Sequence, residues 1–466
     1  MFELAVNLKL NQKTPLYEQI YEFIKEEIKN GRIGCKSKLP SARALANHLQ
    51  VSRSTVDLAY TQLVSEGYIE SSPKRGYFVS DISLLYQSRT NEILEEAKEE
   101  STDSRCAVDF SPWGIELDSF PFNTWRKISK NLLSADNKEL FSAGHPKGDI
   151  ELRKSLCEYL YEARGVHCSP ERIIIGAGNE HLLMLLNHML GDKPKVAMEN
   201  PTYIQAYRLF VQNGNTVIPV QMDRHGMKTK ELNESGASLA YVMPSHQFPM
   251  GIVMPIKRRL ELLDWAYQKP SRFIIEDDYD SEFRYRGKPI PALQSVDANE
   301  KVIYLGTFSK SIAPAIRMSY MVLPKPLLQL YEKHSFYSQT VSRIDQMVVN
   351  EFLQGGYFER HLNRMRSIYK SKHDALLNDL RTWGDSVTIF GENSGLHVLM
   401  TADNGMTEEK LINAAGKAGV RISGISDYFI NRLENYFKPT VLLGFANLSE
   451  KEIGTGLALL KKAWRI

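Results

Sequence analysis

The sequence places a lysine directly after an apolar run. In Gly306-Thr307-Phe308-Ser309-Lys310 the amine follows the stretch Lys301–Leu305. Burial at a strand end disfavours an ammonium charge, and forming an imine with an aldehyde resolves that conflict. Other apolar runs end in equally suggestive residues. Ile274-Ile275-Glu276-Asp277-Asp278-Tyr279 closes one, and Arg317 lies shortly after Lys310. Gly176-Ala177-Gly178-Asn179 closes another and precedes a helical pattern; free amides at a helix start suit a phosphate. Asn200-Pro201-Thr202-Tyr203 closes a further one.

An aldehyde, a pyridine nitrogen, a ring hydroxyl, a ring face and a phosphate are the features of pyridoxal 5′-phosphate, and the residues answer them in turn. Lys310 forms the Schiff base. Asp277 holds the pyridine nitrogen protonated, so that the ring remains an electron sink. Tyr279, two residues on and therefore on the same side of an extended chain, donates to the ring hydroxyl. Thr307, Ser309, Arg317 and the amides of Ala177, Gly178 and Asn179 grip the phosphate. Tyr203 stacks on the ring. Taken singly, each has a plainer reading. A strand-end Asp or Tyr is commonly a cap or rim residue, Arg317 an ion-pair partner, and a glycine-rich turn before a helix is widespread. Their order on successive strand ends favours the cofactor.

The elements that must position these residues read as an α/β domain. Short apolar runs at Arg172–Ile175, Lys195–Glu199, Ser238–Met243, Arg272–Glu276 and Lys301–Leu305 alternate with amphipathic stretches. That alternation predicts a mostly parallel sheet, with its chemistry at the carboxyl ends of the strands.

A different pattern occupies residues 1–80. Leu16, Ile20, Ile24 and Ile28 make one apolar helix stripe from Pro15 to about Asn30. Ser41 caps a second helix and Ser52 a third, whose inner face is Val56, Ala59, Tyr60 and Leu63. Two extended pieces, Tyr68–Ser71 and Gly76–Val79, flank a basic tip at Lys74 and Arg75. This is the order of a winged helix-turn-helix. The third helix starts with Ser52, Arg53, Ser54 and Thr55, at the end a recognition helix pushes into the major groove. Arg53 can read guanine; the three hydroxyls can reach phosphate or bases. Ser41 and Arg43 face the backbone from the second helix, and Lys74 and Arg75 meet the minor groove or its phosphates. Singly, each is most simply a solvated surface group.

The chain has 466 residues and a net charge of +3, enough for two or three domains. The first 80 residues hold 11 basic and 8 acidic side chains, so the whole excess lies there. Residues 81–106 are polar and acid-rich and read as a linker, leaving 107–466 as the body. Cys35, Cys106, Cys157 and Cys168 are scattered, which predicts free thiols in a reducing cytoplasm and no metal site. No apolar run is long enough for a membrane helix, and the amino terminus lacks a secretory pattern.

The stretch LPSARALANHLQVSRSTVDLAYTQLVSEGYIESSPKRGYFV closely resembles the GntR-type winged-helix signature. SPWGIELDSFP, HPKGDIELR, SHQFPMG, EDDYDSEFRY and GTFSKSIAPAIR resemble fold type I pyridoxal-phosphate aminotransferases over essentially the whole body. Their fusion resembles the MocR subfamily of regulators, which includes GABA-responsive and vitamin-B6-responsive (PdxR-type) activators. The resemblance implies a homodimer, head to tail, on double-stranded operator DNA, with a pyridoxal-phosphate or amino-acid effector. It also implies that Gln247 lies beside the ring hydroxyl.

The chain departs from the aminotransferase pattern in three places. Ala143 stands where a tyrosine reaches the partner's phosphate. Val441–Phe445 lacks the arginine that holds a substrate carboxylate, with Arg421 on an earlier stretch as a poor substitute. Gln205 stands where GABA-responsive relatives carry arginine. These losses favour the cofactor itself as the signal. The alternatives are a working aminotransferase with a DNA-binding appendage, and a DNA-binding head over a body without cofactor.

Overall fold

The computed structural model describes residues 14–81 and 106–466, other than 192, 286–289, 334–337, 394 and 432–437. It divides the chain into two units, Met1–Thr102 and Asp103–Ile466. Between its ends, the expected linker 81–106 lies outside the described residues.

In the first unit, α1 (Leu16–Lys29), α2 (Ala42–Leu49) and α3 (Arg53–Ser65) precede β1 (Ile69–Ser72) and β2 (Gly76–Val79). The four-residue period of α1 buries Ile20, Ile24 and Ile28 against Val56, Ala59, Tyr60 and Leu63 of α3. Each such aliphatic side chain contributes roughly 1.5–3 kcal/mol by leaving water. The Ser41 and Ser52 hydroxyls accept from the amides of Ala44 and Thr55, each at 3.2 Å, so both expected caps form. β1 and β2 pair antiparallel from Ile69↔Val79 to Ser72↔Gly76. This leaves Pro73, Lys74 and Arg75 at the hairpin tip.

The second unit is built on an eight-stranded sheet. Its strands are β4 (Ile173–Gly176), β5 (Val196–Asn200), β6 (Val217–Asp223), β7 (Gly226–Met227), β8 (Leu239–Val242), β9 (Phe273–Asp278), β10 (Val302–Thr307) and β11 (Ser319–Val322). They lie in the order β4-β11-β10-β9-β8-β5-β6-β7. The run from β10 to β6 is parallel throughout. β11 runs against both β10 and β4, so the carboxyl ends of β4, β5, β8, β9 and β10 lie on one edge. Every residue of β9 and β10 is buried, as expected of strands covered on both faces. Ile303 and Leu305 enter one core, and Tyr304 between them enters another.

β3 (Val108–Asp109) precedes the sheet. A smaller antiparallel sheet follows it, of β12 (Val387–Phe390), β13 (His397–Ala402), β15 (Ser423–Gly424) and β16 (Thr440–Gly444). β14 (Val420–Arg421) pairs in parallel with β3. The Gly444 amide donates to Phe110 O at 2.7 Å, and a Cβ at Gly444 would stand 2.4 Å from Ser111 O. A glycine here lets β16 approach the strap 110–114, which leads on to the candidate site.

Candidate cofactor site and nucleic-acid interface

Strand ends and the strap enclose a cavity of about 250 Å³. Lys310, Asp277, Tyr279, Asn179, Tyr203, Thr307, Ser309 and Arg317 all line it. The alternation of β9 explains the division of labour among its acids. Asp277 faces the cavity, while Glu276 and Asp278 on the other side are tied into the scaffold. Glu276 accepts from the amides of Leu293 and Gln294, at 2.7 and 2.9 Å. Asp278 accepts from Arg164 Nε at 2.8 Å and the Tyr304 hydroxyl at 2.5 Å.

Asp277 is 3% exposed and accepts hydrogen bonds from the Tyr241 hydroxyl and from Asn179 Nδ2, the latter at 3.1 Å. Neither partner is charged. Burial pushes the carboxyl up to about 7, only partly offset by the Tyr241 hydrogen bond. A protonated ring nitrogen is the cationic partner this carboxylate lacks. The Lys310 amine donates to the carbonyls of Pro112, at 2.8 Å, and Trp113, at 3.1 Å. Burial lowers it to about 8, with Asp280 opposing. A substantial neutral fraction at physiological pH is what attack on an aldehyde needs.

The opposite end of the cavity suits an anion. The helix Asn179–Leu190 begins there with Gly178 at its amino-terminal cap. Gly178 has φ +99°, and a Cβ on it would come within 2.5 Å of Arg317 Nη2. The Ser309 amide donates to Thr307 Oγ1 at 3.2 Å, and the Thr307 and Ser309 hydroxyls are 3.0 Å apart. Arg317 pairs with Glu180 at 3.0 Å. Hydroxyls, a guanidinium and a helix start form a phosphate-binding donor set. The residues therefore fit pyridoxal phosphate at its aldehyde, ring and phosphate.

Other expectations are not met by the geometry. Gln247 is not among the cavity-lining residues. Its amide donates to Pro201 O at 2.9 Å and accepts from the Met250 amide at 3.0 Å, so it braces a loop; the neighbouring His246 instead contacts the Tyr279 hydroxyl. The Gly178 amide is already bonded to Gly176 O at 2.9 Å. Ala177 and Gly178 shape the cradle without lining the cavity. Arg421 is exposed on β14 and pairs with Asp109 at 3.3 Å, so it does not replace the missing carboxylate arginine.

Trp113, Phe248, Asp280 and His397 also line the cavity, and sequence reasoning missed them as site residues. All but His397 stand inside stretches quoted above. Strand alternation would turn Asp280 away from Tyr279, but β9 ends at Asp278 and the chain bends. No local sequence signal marks His397, because β13 meets the cavity only through the tertiary fold. Burial pushes its imidazole down to about 3.

In the head, Arg43, Ser52, Arg53, Ser54, Lys74 and Arg75 are all exposed, with Ser41 capping α2 at the surface. The Ser52 hydroxyl lies 2.8 Å from that of Ser54 and 2.7 Å from that of Thr55. Arg53 meets Asp57 one turn on at 3.3 Å. Leu58 is 52% exposed on the outer face of α3.

Comparison with known proteins agrees with both halves. Residues 16–79 match the bacterial regulatory proteins of the gntR family, and residues 116–443 match aminotransferase class I and II. The HTH-type transcriptional regulator YdeL of Bacillus subtilis is 43% identical over 97% of both chains. The probable rhizopine catabolism regulatory protein MocR of Rhizobium meliloti is 30% identical over 97% of this chain and 94% of its own. Kynurenine aminotransferase of Pyrococcus horikoshii superimposes with a TM-score of 0.69 at 26% identity, covering 78% of this chain and 91% of its own. The chain belongs to the MocR-type transcriptional regulators, in which a GntR-family winged helix-turn-helix is fused to a fold type I, class I and II aminotransferase body.

Proposed function

We propose that the body holds pyridoxal 5′-phosphate on Lys310 and reports its presence to the DNA-binding head, as a vitamin-B6-sensing cytoplasmic regulator. The observation that carries this reading is the pairing of two mismatched groups across one cavity. Lys310 is an amine lowered to about 8, and Asp277 is a buried carboxyl raised to about 7 with uncharged partners. When bound, the cofactor supplies an aldehyde for the first and a ring cation for the second. Thr307, Ser309, Arg317 and Asn179 hold the phosphate, Tyr203 covers the ring, and Tyr279 faces the ring hydroxyl. Among the described lining residues, Lys310 and Arg317 are the lysine and arginine, and both have work on the cofactor. This leaves no further guanidinium or ammonium there to clamp an amino-acid carboxylate.

On DNA, Arg53 reads a base in the major groove while Ser52, Ser54 and Thr55 contact backbone or bases; Ser41, Arg43, Lys74 and Arg75 bind phosphates. A head-to-tail homodimer presents two such heads to two half-sites. Cofactor binding changes operator affinity only to the extent that it prefers one arrangement of the chain over another. Borohydride reduction of the protein with pyridoxal phosphate, followed by peptide mass mapping, tests the attachment. A pyridoxyl group on Lys310 is expected; an unmodified Lys310 contradicts the reading.

A further inference from the structure

Behind Tyr279 lies a buried pair that the cofactor reading does not use. His246 and Asp280 are each 2% exposed. His246 Nδ1 stands 2.9 and 3.1 Å from the two Asp280 carboxylate oxygens, and 2.9 Å from the Tyr279 hydroxyl. His246 Nε2 is buried without a hydrogen-bond partner among the described residues. The ring is wedged in place. A Cβ at Gly395, where φ is +80°, would fall 1.9 Å from His246 Cε1. The His397 ring lies 5.3 Å away on another side.

Proton arithmetic decides what this cluster does. A neutral imidazole carries one proton, and its placement follows from its neighbours. Among the described residues a proton on Nε2 meets no acceptor, whereas on Nδ1 it meets a carboxylate. With Nδ1 protonated, the Tyr279 hydroxyl cannot donate to it. The hydroxyl hydrogen then has two directions open to it, the Asp280 carboxylate, both of whose oxygens Nδ1 already engages, and the cavity, where the ring oxygen of the cofactor would accept it. With an uncharged amide in place of the carboxylate, Nδ1 can lose its proton and accept from Tyr279, turning the hydroxyl away.

We propose that Asp280 pins the His246 proton on Nδ1 and thereby aims the Tyr279 hydroxyl at the ring oxygen of the cofactor, making Asp280 and His246 positioning residues of the site. This inference rests on the cofactor reading for its ligand, and on the geometry alone for its proton. The charged and titratable groups facing this cluster and the Lys310 nitrogen are Asp277 in β9, Asp280 and Tyr285 beyond its end, Glu180 on the helix after β4, and Tyr203 after β5. His246 comes from the loop after β8, Arg317 precedes β11, and His397 opens β13.

Asp280 also acts on Lys310 directly as a charge, so the test must separate the two routes. The pH midpoint of the visible absorbance change is measured for the pyridoxal-phosphate-loaded protein, Asp280→Asn, Tyr279→Phe and the double variant. A direct charge effect gives the same Asp280→Asn shift whether residue 279 is Tyr or Phe. Positioning through the hydroxyl makes that shift about one pH unit more alkaline in the Tyr279 background. Equal shifts in both backgrounds overturn the proposal. Independently, 15N-histidine NMR of the unmutated chain, assigned with His246→Gln, reads the tautomer without cofactor or carboxylate variant. Protonated Nδ1 is expected; protonated Nε2 overturns the proposal. Failure of the wild-type protein to take up cofactor defeats the proposed function instead, and leaves the tautomer result to judge this one.

Discussion

The Lys310 amine donates to the main-chain carbonyl of Pro112 at 2.8 Å. Pro112 belongs to the strap that begins at β3, the first strand after the segment joining the two units. The nitrogen proposed to carry the cofactor thus also holds the start of the body. Four consequences can be measured.

Lys310→Ala removes the nucleophile and leaves the scaffold. The variant is expected to keep its circular dichroism but to show no visible band with pyridoxal phosphate. A band of wild-type intensity would remove Lys310 from its role.

Asp277 gives a pH signature. Its folded pKa is about 7, above the unfolded value near 3.9. The folded state therefore binds more protons between these values, and the contribution is present below about 4 and lost as pH rises towards 7. His397, lowered to about 3, acts in the opposite sense, adding stability as pH rises through its unfolded value near 6.5. Urea unfolding of the cofactor-free protein from pH 4 to 8 isolates the first effect by difference. Asp277→Asn should fall in stability less steeply than wild type over this range.

Gly178→Ala puts a Cβ at φ +99° against Arg317. Backbone strain of this kind costs on the order of 1–3 kcal/mol, and the guanidinium must move. Equilibrium dialysis should show pyridoxal-phosphate affinity reduced about tenfold or more, with uptake of the unphosphorylated aldehyde less affected.

On the head, Arg53→Ala should cost roughly 1–3 kcal/mol and relax selection at one base position, whereas Lys74→Ala should weaken all sequences alike and reduce the salt slope by about 1. Selection from a random duplex library followed by salt titration reads both. A change of sequence preference caused by Lys74→Ala alone would reverse the docking.

Much of this was legible because it is local. The caps at Ser41 and Ser52, the stripe of α1 and the inner face of α3 depend on spacing within one helix. Strands β4, β5, β8, β9 and β10 showed as apolar runs, each within a few residues of its observed ends, whereas the parallel β6 was missed. Asp277 and Tyr279 could be paired because two positions in an extended chain share a side. What stayed hidden is long-range. β11, β13 and β16 are apolar runs too, but nothing local says which sheet each joins, and the packing of β16 on the strap brings His397 to the cavity. Gln247 was assigned from a motif, but the turn it braces sends its neighbour His246 to Tyr279 instead. Arg421 looked available in sequence and is committed to Asp109 in space.

The most direct measurement is the affinity of the full chain for its operator fragment with and without saturating pyridoxal 5′-phosphate, for wild type and Lys310→Ala. The account predicts that the cofactor changes wild-type affinity by about tenfold or more, a coupling of about 1.4 kcal/mol, and leaves Lys310→Ala unmoved. Equal wild-type affinities, with the pyridoxyl group demonstrably on Lys310, would contradict it.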